Sequence, residues 1–265
     1  IGAAFGSNLF NLMIIGLLDI LWINRYLLNH VGMTSVIIAT LGILVMSLAS
    51  IAVFLHSRAD LFSNWYLSPV SILLVGVFAL AMYFIFRFDQ LNQTAAPAGN
   101  DDKYLTHSLS LSLIKYILAS SVVIAGAIWL STIGDRLTDL MGWDESFMGT
   151  QFLAAATSLP ELATSVVAIR IAAPELAITN LLGSNLFNMG FVLFLNDVAH
   201  TDGTIWVASS QIHILTAILG VIMTAVVILA VVSRPRITRP GPTITLESIG
   251  LIGFYLVASF LVFKL

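Results

Sequence analysis

Apolar residues run along this chain in eight long blocks. Crossing the hydrocarbon core of a bilayer takes about 20 residues of helix. The blocks Ala3–Ile23, Thr34–Leu55, Leu67–Phe88, Leu109–Ile133, Phe147–Arg170, Leu176–Val198, Ile205–Val232 and Ile244–Phe263 come up to that length. The pattern predicts an all-α polytopic membrane protein. Most connections are short. The longest, Asp89–Ser108, is rich in Asn, Gln, Ala, Pro and Asp, and such composition reads as a flexible linker between two halves. It is too short for a soluble regulatory domain.

The polar residues inside the blocks carry more information than the apolar ones. Hydroxyls, amides and carboxylates in a membrane interior are costly, so their default reading is functional. Thr157-Ser158-Leu159-Pro160-Glu161 interrupts the fifth block, and Gly183-Ser184-Asn185-Leu186-Phe187-Asn188 interrupts the sixth. The second motif has already occurred word for word at Gly6-Ser7-Asn8-Leu9-Phe10-Asn11. An identical six-residue repeat is read before anything else. The copies lie on spans one and six, so five crossings separate them and their helices run in opposite directions. Inverted repeats of this kind are typical of secondary transporters with a midplane site.

Pro160 lacks an amide hydrogen, and its ring clashes with the carbonyl four residues back, so the helix must kink or break there. The carbonyls of Ala154, Ala155, Ala156 and Thr157 are then partly released, and freed carbonyls at the end of a half-helix suit a hard cation. Thr157 and Glu161 share a helix face, as do Ser7 with Asn11 and Ser184 with Asn188. Gly6 and Gly183 would permit close backbone approach. A structural alternative exists for each motif. Ser158 and Glu161 have capping-box spacing, and Ser and Asn beside Gly can serve as interhelical hydrogen-bond glue. The donor set of hydroxyl, amide oxygen, carbonyl and carboxylate suits sodium or calcium.

Composition agrees. The 265 residues are 58% hydrophobic and 9% charged, against roughly 25% charged in soluble domains. A net charge of −3 argues against a nucleic-acid partner. Without cysteine, disulfides, zinc–thiolate sites and thiol catalysis are excluded. His30, His56, His107 and His200 fall in predicted loops and His213 stands alone on its span, so all five read as structural or solvated. Eight Lys and Arg residues fall on one side of the alternating loops and three on the other. That bias puts the linker in the cytoplasm and the C-terminus outside. The outer loops would hold Asp60, Asp135, Asp139, Asp144, Glu145, Asp197 and Asp202, either as ordinary solvated acids or as a negative vestibule that concentrates cations.

At the two motifs the chain resembles the cation/calcium antiporter superfamily, and within it the prokaryotic sodium/calcium exchanger membrane proteins. That family pairs a Gly-Thr-Ser-x-Pro-Glu helix with a Gly-Ser-Asn-x-Phe-Asn/Asp helix in each of two alpha-repeats. Thr157–Glu161 and Gly183–Asn188 match the second repeat, and Gly6–Asn11 the end of the first. The resemblance implies a fold of ten helices in two inverted five-helix halves, with this chain truncated at its N-terminus by two helices, the first repeat's Pro-Glu helix among them. Residues 1–88 would be the remainder of the first repeat, 89–108 the cytoplasmic linker and 109–265 the second half, with its alpha-repeat at 147–198. It implies alternating access in the plasma membrane, with sodium and calcium competing for one midplane site. The metal positions it carries over are the Ala154 carbonyl, Thr157, Ser158, Glu161, Ser184 and Asn188, with Ser7 and Asn11 from the other repeat. No cofactor is implied beyond the transported ions, and a monomer in the lipid bilayer is expected. The sequence departs from the family with Ala156 and Thr179 where Gly is usual, and with Ala3 where Asn180 has its counterpart.

Other readings have less support. A calcium/proton exchanger would typically carry Glu where Asn11 and Asn188 stand. An intramembrane hydrolase needs a Ser–His or Asp–Asp pair at membrane depth, and none is visible in the sequence. A membrane scaffold leaves Glu161 and the repeat unexplained. The chain is therefore read as a non-enzymatic cation antiporter.

Overall fold

The computed structural model describes residues 1–22, 27–58, 65–93, 109–233 and 245–264. Among the described residues, eight helices are long and apolar enough to cross a membrane: α1 (Gly2–Leu21), α2 (Met33–Arg58), α3 (Pro69–Gln93), α4 (Leu109–Met141), α5 (Glu145–Arg170), α6 (Pro174–Ala199), α7 (Ile212–Ser233) and α8 (Leu246–Lys264). No strand occurs among the described residues. Helix α3 runs to Gln93, so it takes in the first residues of the predicted linker; residues 94–108 lie outside the described ones.

Local chemistry sets the helix ends. Helix α3 opens with Pro69 behind Ser68, whose Oγ accepts from the Val70 amide at 3.2 Å. Proline suits this first position because its missing N–H would have no helical partner there. Helix α8 opens behind Thr245, whose Oγ1 accepts from the Ser248 amide at 3.1 Å. The α5–α6 turn is three residues long. Its Ala172 stands at φ 59°, and the Ala173 amide reaches back to the Ala168 carbonyl at 2.9 Å. That bond closes a Schellman-type end, and Pro174 starts the next helix.

Helix α1 lies at the centre, with Phe5, Leu9, Leu12, Ile14 and Ile15 buried. It packs on α5, α6, α7 and α8, while α2 packs on α3, α6 and α7. This pattern maps onto itself when α1 exchanges with α6, α2 with α7 and α3 with α8. Helix α4 sits at the periphery and meets α5 where Gly134 faces Leu153. Apolar burial drives little association between helices already in lipid, so close contact rests on small residues. A Cβ on Gly6 would stand 2.1 Å from the Thr150 carbonyl oxygen, which shows how tightly α1 crosses α5.

Two buried aspartates hold the ends of the repeated helices. Asp197 of α6 accepts from Thr204 Oγ1 at 2.7 Å and the Ile205 amide at 2.8 Å through one oxygen. Its other oxygen takes the Ser68 amide at 2.9 Å and Ser71 Oγ at 2.6 Å. Asp19 of α1 does likewise. One oxygen accepts from the Leu27 amide at 2.8 Å, and the other from Thr245 Oγ1 at 3.0 Å and Ser248 Oγ at 2.6 Å. Each carboxylate thus grips its own following connection and the first turn of a distant helix, where the exposed amide ends favour negative charge. Asp19 lies thirteen residues after Gly6 and Asp197 fourteen after Gly183. A π-helical turn at Asn188–Val192 accommodates the additional residue.

These observations correct several sequence expectations. Asp197 is a fully buried anchor and belongs to no acidic vestibule. Positions 135 and 139 are helical, on an α4 longer than expected, and Asp144 caps the start of α5, accepting from the Ser146 amide at 2.8 Å. Asp60 and His107 lie outside the described residues. His56 sits in the last turn of α2, buried, with Nδ1 2.8 Å from the Ala52 carbonyl. The seventh span begins at Ile212, not Ile205, because Asp197 pins Thr204 and Ile205 into a turn over which Trp206 is buried.

Candidate functional site

Helix α5 is interrupted at Ser158, whose backbone (φ −94°, ψ 3°) leaves the helical region, two residues before Pro160. The preceding turns, Met148–Leu153, are π-helical. The interruption leaves the predicted carbonyls partly employed. Ala154 O accepts from the Ser158 amide at 3.1 Å, from Thr157 Oγ1 at 3.2 Å and from Ser7 Oγ at 3.3 Å. Thr157 also returns its hydroxyl to Leu153 O at 2.7 Å, and Ser7 Oγ lies 3.3 Å from Thr157 Oγ1. Ser7, Ala154 and Thr157 therefore form one cluster across the α1–α5 crossing that Gly6 permits.

Glu161 lies one turn further on. Its Oε1 accepts from Ser184 Oγ of α6 at 2.9 Å. No Lys or Arg pairs with it among the described residues. It lines a cavity of about 610 Å³ with Thr157, Asn180, Gly183 and Ser184, walled by Phe78 of α3. Asn180 ties α5 to α6 below it, donating to Thr164 Oγ1 at 3.0 Å and Ser165 Oγ at 3.2 Å. Gly183 differs from its twin: nothing lies within 4 Å of a Cβ built there, so it opens on the cavity instead of seating a helix.

The capping box does not form. Ser158 makes no side-chain cap, and its Oγ is buried without a hydrogen-bond partner. The carboxylate is thus left to Ser184 and to the cavity.

Asn11 and Asn188 are not among the residues that line this cavity; they bond instead to two residues that the sequence reading did not single out. Asn8 Nδ2 donates to Asn185 O and Asn185 Nδ2 to Asn8 O, both at 3.2 Å. Asn11 Nδ2 donates to Asn185 Oδ1 at 2.9 Å, and Asn188 Nδ2 to Asn8 Oδ1 at 3.1 Å. The signal for Asn8 and Asn185 was their identity in both copies of the motif. Gln151 was also missed. It lies one residue after the Thr150 that Gly6 meets, and its Oε1 accepts from Ser259 Oγ at 2.6 Å and Tyr255 Oη at 3.2 Å.

The described residues hold no cluster of three His, Cys, Asp or Glu side chains. The charge at the site comes from one carboxylate, and the other donors are neutral oxygens, a set for a hard cation. A Ser–His pair does exist at the helix ends, outside membrane depth: Ser68 Oγ, just before α3, lies 3.3 Å from Nε2 of His56 in the last turn of α2. Ser68 also caps α3, and its amide donates to Asp197. The pair therefore reads as part of the buried anchor.

A family model described as sodium/calcium exchanger protein matches residues 111–264. Sodium/potassium/calcium exchanger 2 of Mus musculus is 26% identical over 115 residues, 42% of this chain and 17% of that protein. Sodium/calcium exchanger MaX1 of Methanosarcina acetivorans is 31% identical over 80 residues, 30% of this chain and 23% of its own length. Inner membrane protein YrbG of Escherichia coli is 34% identical over 87 residues, 33% of this chain and 25% of its own. These matches thus span no more than a quarter of each relative's length.

Proposed function

Because the chain belongs to the sodium/calcium exchanger protein family, we propose that it exchanges sodium for calcium across the membrane by alternating access at the Glu161 site. One observation carries this reading: Glu161 faces an open cavity on an interrupted spanning helix, bonded to Ser184 and, among the described residues, to no cationic side chain. An uncompensated carboxylate at membrane depth is expensive and is kept for a cation. Ala154 O, Thr157, Ser158, Ser184 and Asn188, with Ser7 and Asn11, complete the proposed ligand set in neutral oxygen. The twofold packing pattern supports dividing the chain into 1–88, the linker 89–108 and 109–265. The Lys and Arg bias supports a cytoplasmic linker and an outer C-terminus. A monomer without cofactor suffices for this reading.

Asn11 and Asn188 are neutral amides, which favours sodium over protons as the driving ion and leaves no second acid for potassium. The test is calcium uptake into proteoliposomes under imposed sodium, potassium or proton gradients. Uptake driven by sodium alone is expected. Uptake that needs potassium, or that runs on protons with sodium absent, would reassign the coupling ion.

A further inference from the structure

We propose that Asn8 and Asn185 are positioning residues that fix which way the amides of Asn11 and Asn188 face, so that both present oxygen to the cation. The inference rests on the exchange reading above. Its argument begins with two main-chain carbonyls, which can only accept. The Asn8 carbonyl oxygen fixes the NH₂ end of Asn185, and the Asn185 carbonyl oxygen fixes the NH₂ end of Asn8. With those ends committed, the Oδ1 atoms of Asn8 and Asn185 are left as acceptors. They stand against the Nδ2 of Asn188 and of Asn11, at 3.1 and 2.9 Å. Turning either of those amides around would set oxygen against oxygen. Their own Oδ1 atoms are therefore turned away from the lattice. Asn11 Oδ1 is fully buried and has no hydrogen-bond partner, and Asn188 Oδ1 accepts none among the described residues. A buried acceptor left empty costs free energy that a bound cation would recover.

The control is crossed. Asn185 of α6 sets Asn11 of α1, and Asn8 of α1 sets Asn188 of α6. Each copy of the motif orients the last residue of the other.

The experiment measures calcium uptake by the full chain in proteoliposomes as a function of calcium concentration, at a fixed sodium gradient. It uses the alanine variants of Asn8, Asn11, Asn185 and Asn188 and their pairs. Asn185→Ala and Asn8→Ala should each raise the half-saturating calcium concentration by about three- to tenfold, with the maximal rate nearly unchanged. Asn185→Ala should add little to Asn11→Ala, and Asn8→Ala little to Asn188→Ala. The pairs within one helix, which share no direct side-chain bond, should couple more weakly than the crossed pairs. Asn185→Ser, too short to hold Asn11, serves where alanine prevents folding. Additive crossed pairs would overturn the inference, as would variants that lose maximal rate or yield while half-saturation stays put. If the parent takes up no calcium under any gradient, the exchange reading fails and this inference with it. A parent that exchanges normally while the crossed coupling is missing sinks this inference alone.

Discussion

Glu161 is the residue on which the proposed exchange turns, and its surroundings define a clean test. Glu161→Gln keeps the shape and an oxygen for Ser184 but removes the charge. Calcium uptake in vesicles should be abolished while membrane insertion is retained; uptake within a few-fold of the parent would refute the assignment. The repeated glycines offer a second test, because identical residues should answer differently. Gly6→Ala drives a methyl into the Thr150 carbonyl and should cost about 1–3 kcal/mol by overpacking, read as a lower melting temperature in detergent. Gly183→Ala meets nothing within 4 Å and should melt at or above the parent, since Ala favours a helix over Gly by about 1 kcal/mol. Part of this cavity was legible as residue types, since Thr157, Pro160, Glu161 and Ser184 all line it, whereas the repeated asparagines join α1 to α6. Partners were not legible. Spacing within one helix shows which side chains share a face, but it is silent on which helix that face meets. Asn8 and Asn185 stayed hidden for that reason, and Ser158 suggested a cap that its backbone angles do not permit.

Among the elements, all eight spans follow from apolar length alone, because lipid demands it of any crossing helix. Their ends were less legible where buried polar anchors override hydropathy. The segment Ile205–Gln211 is apolar enough to extend α7, yet Asp197 holds it as a turn. Asp197 itself looked like an ordinary loop acid because it sits at a span boundary. Its four accepted hydrogen bonds predict that Asp197→Asn, which turns an amide toward donors, costs about 3 kcal/mol. Thermal unfolding of purified protein in detergent measures it, and an unchanged melting temperature would show that the anchor contributes little. The two anchoring aspartates were also hidden as a pair. The π-helical turn shifts one of them by a residue, so an ungapped superposition of the repeats sets Asp19 against Asn196.

For the whole molecule, the positive-charge bias predicts which way the bundle faces. The chain contains no cysteine, so a single cysteine placed in 89–108 should resist an impermeant thiol reagent applied outside intact cells. Ready labelling there would invert the orientation. The anchors carry a further consequence for how the molecule holds together. Asp19 grips the start of α8, Asp197 grips the start of α3, and the asparagine lattice joins α1 to α6. Every one of these bonds ties the segment before residue 94 to the segment after residue 108. A protease nick between those residues should therefore release no fragment. The two pieces should co-elute from a sizing column and unfold at a single temperature, and either piece made alone would strip a buried aspartate of at least half of its hydrogen-bond donors.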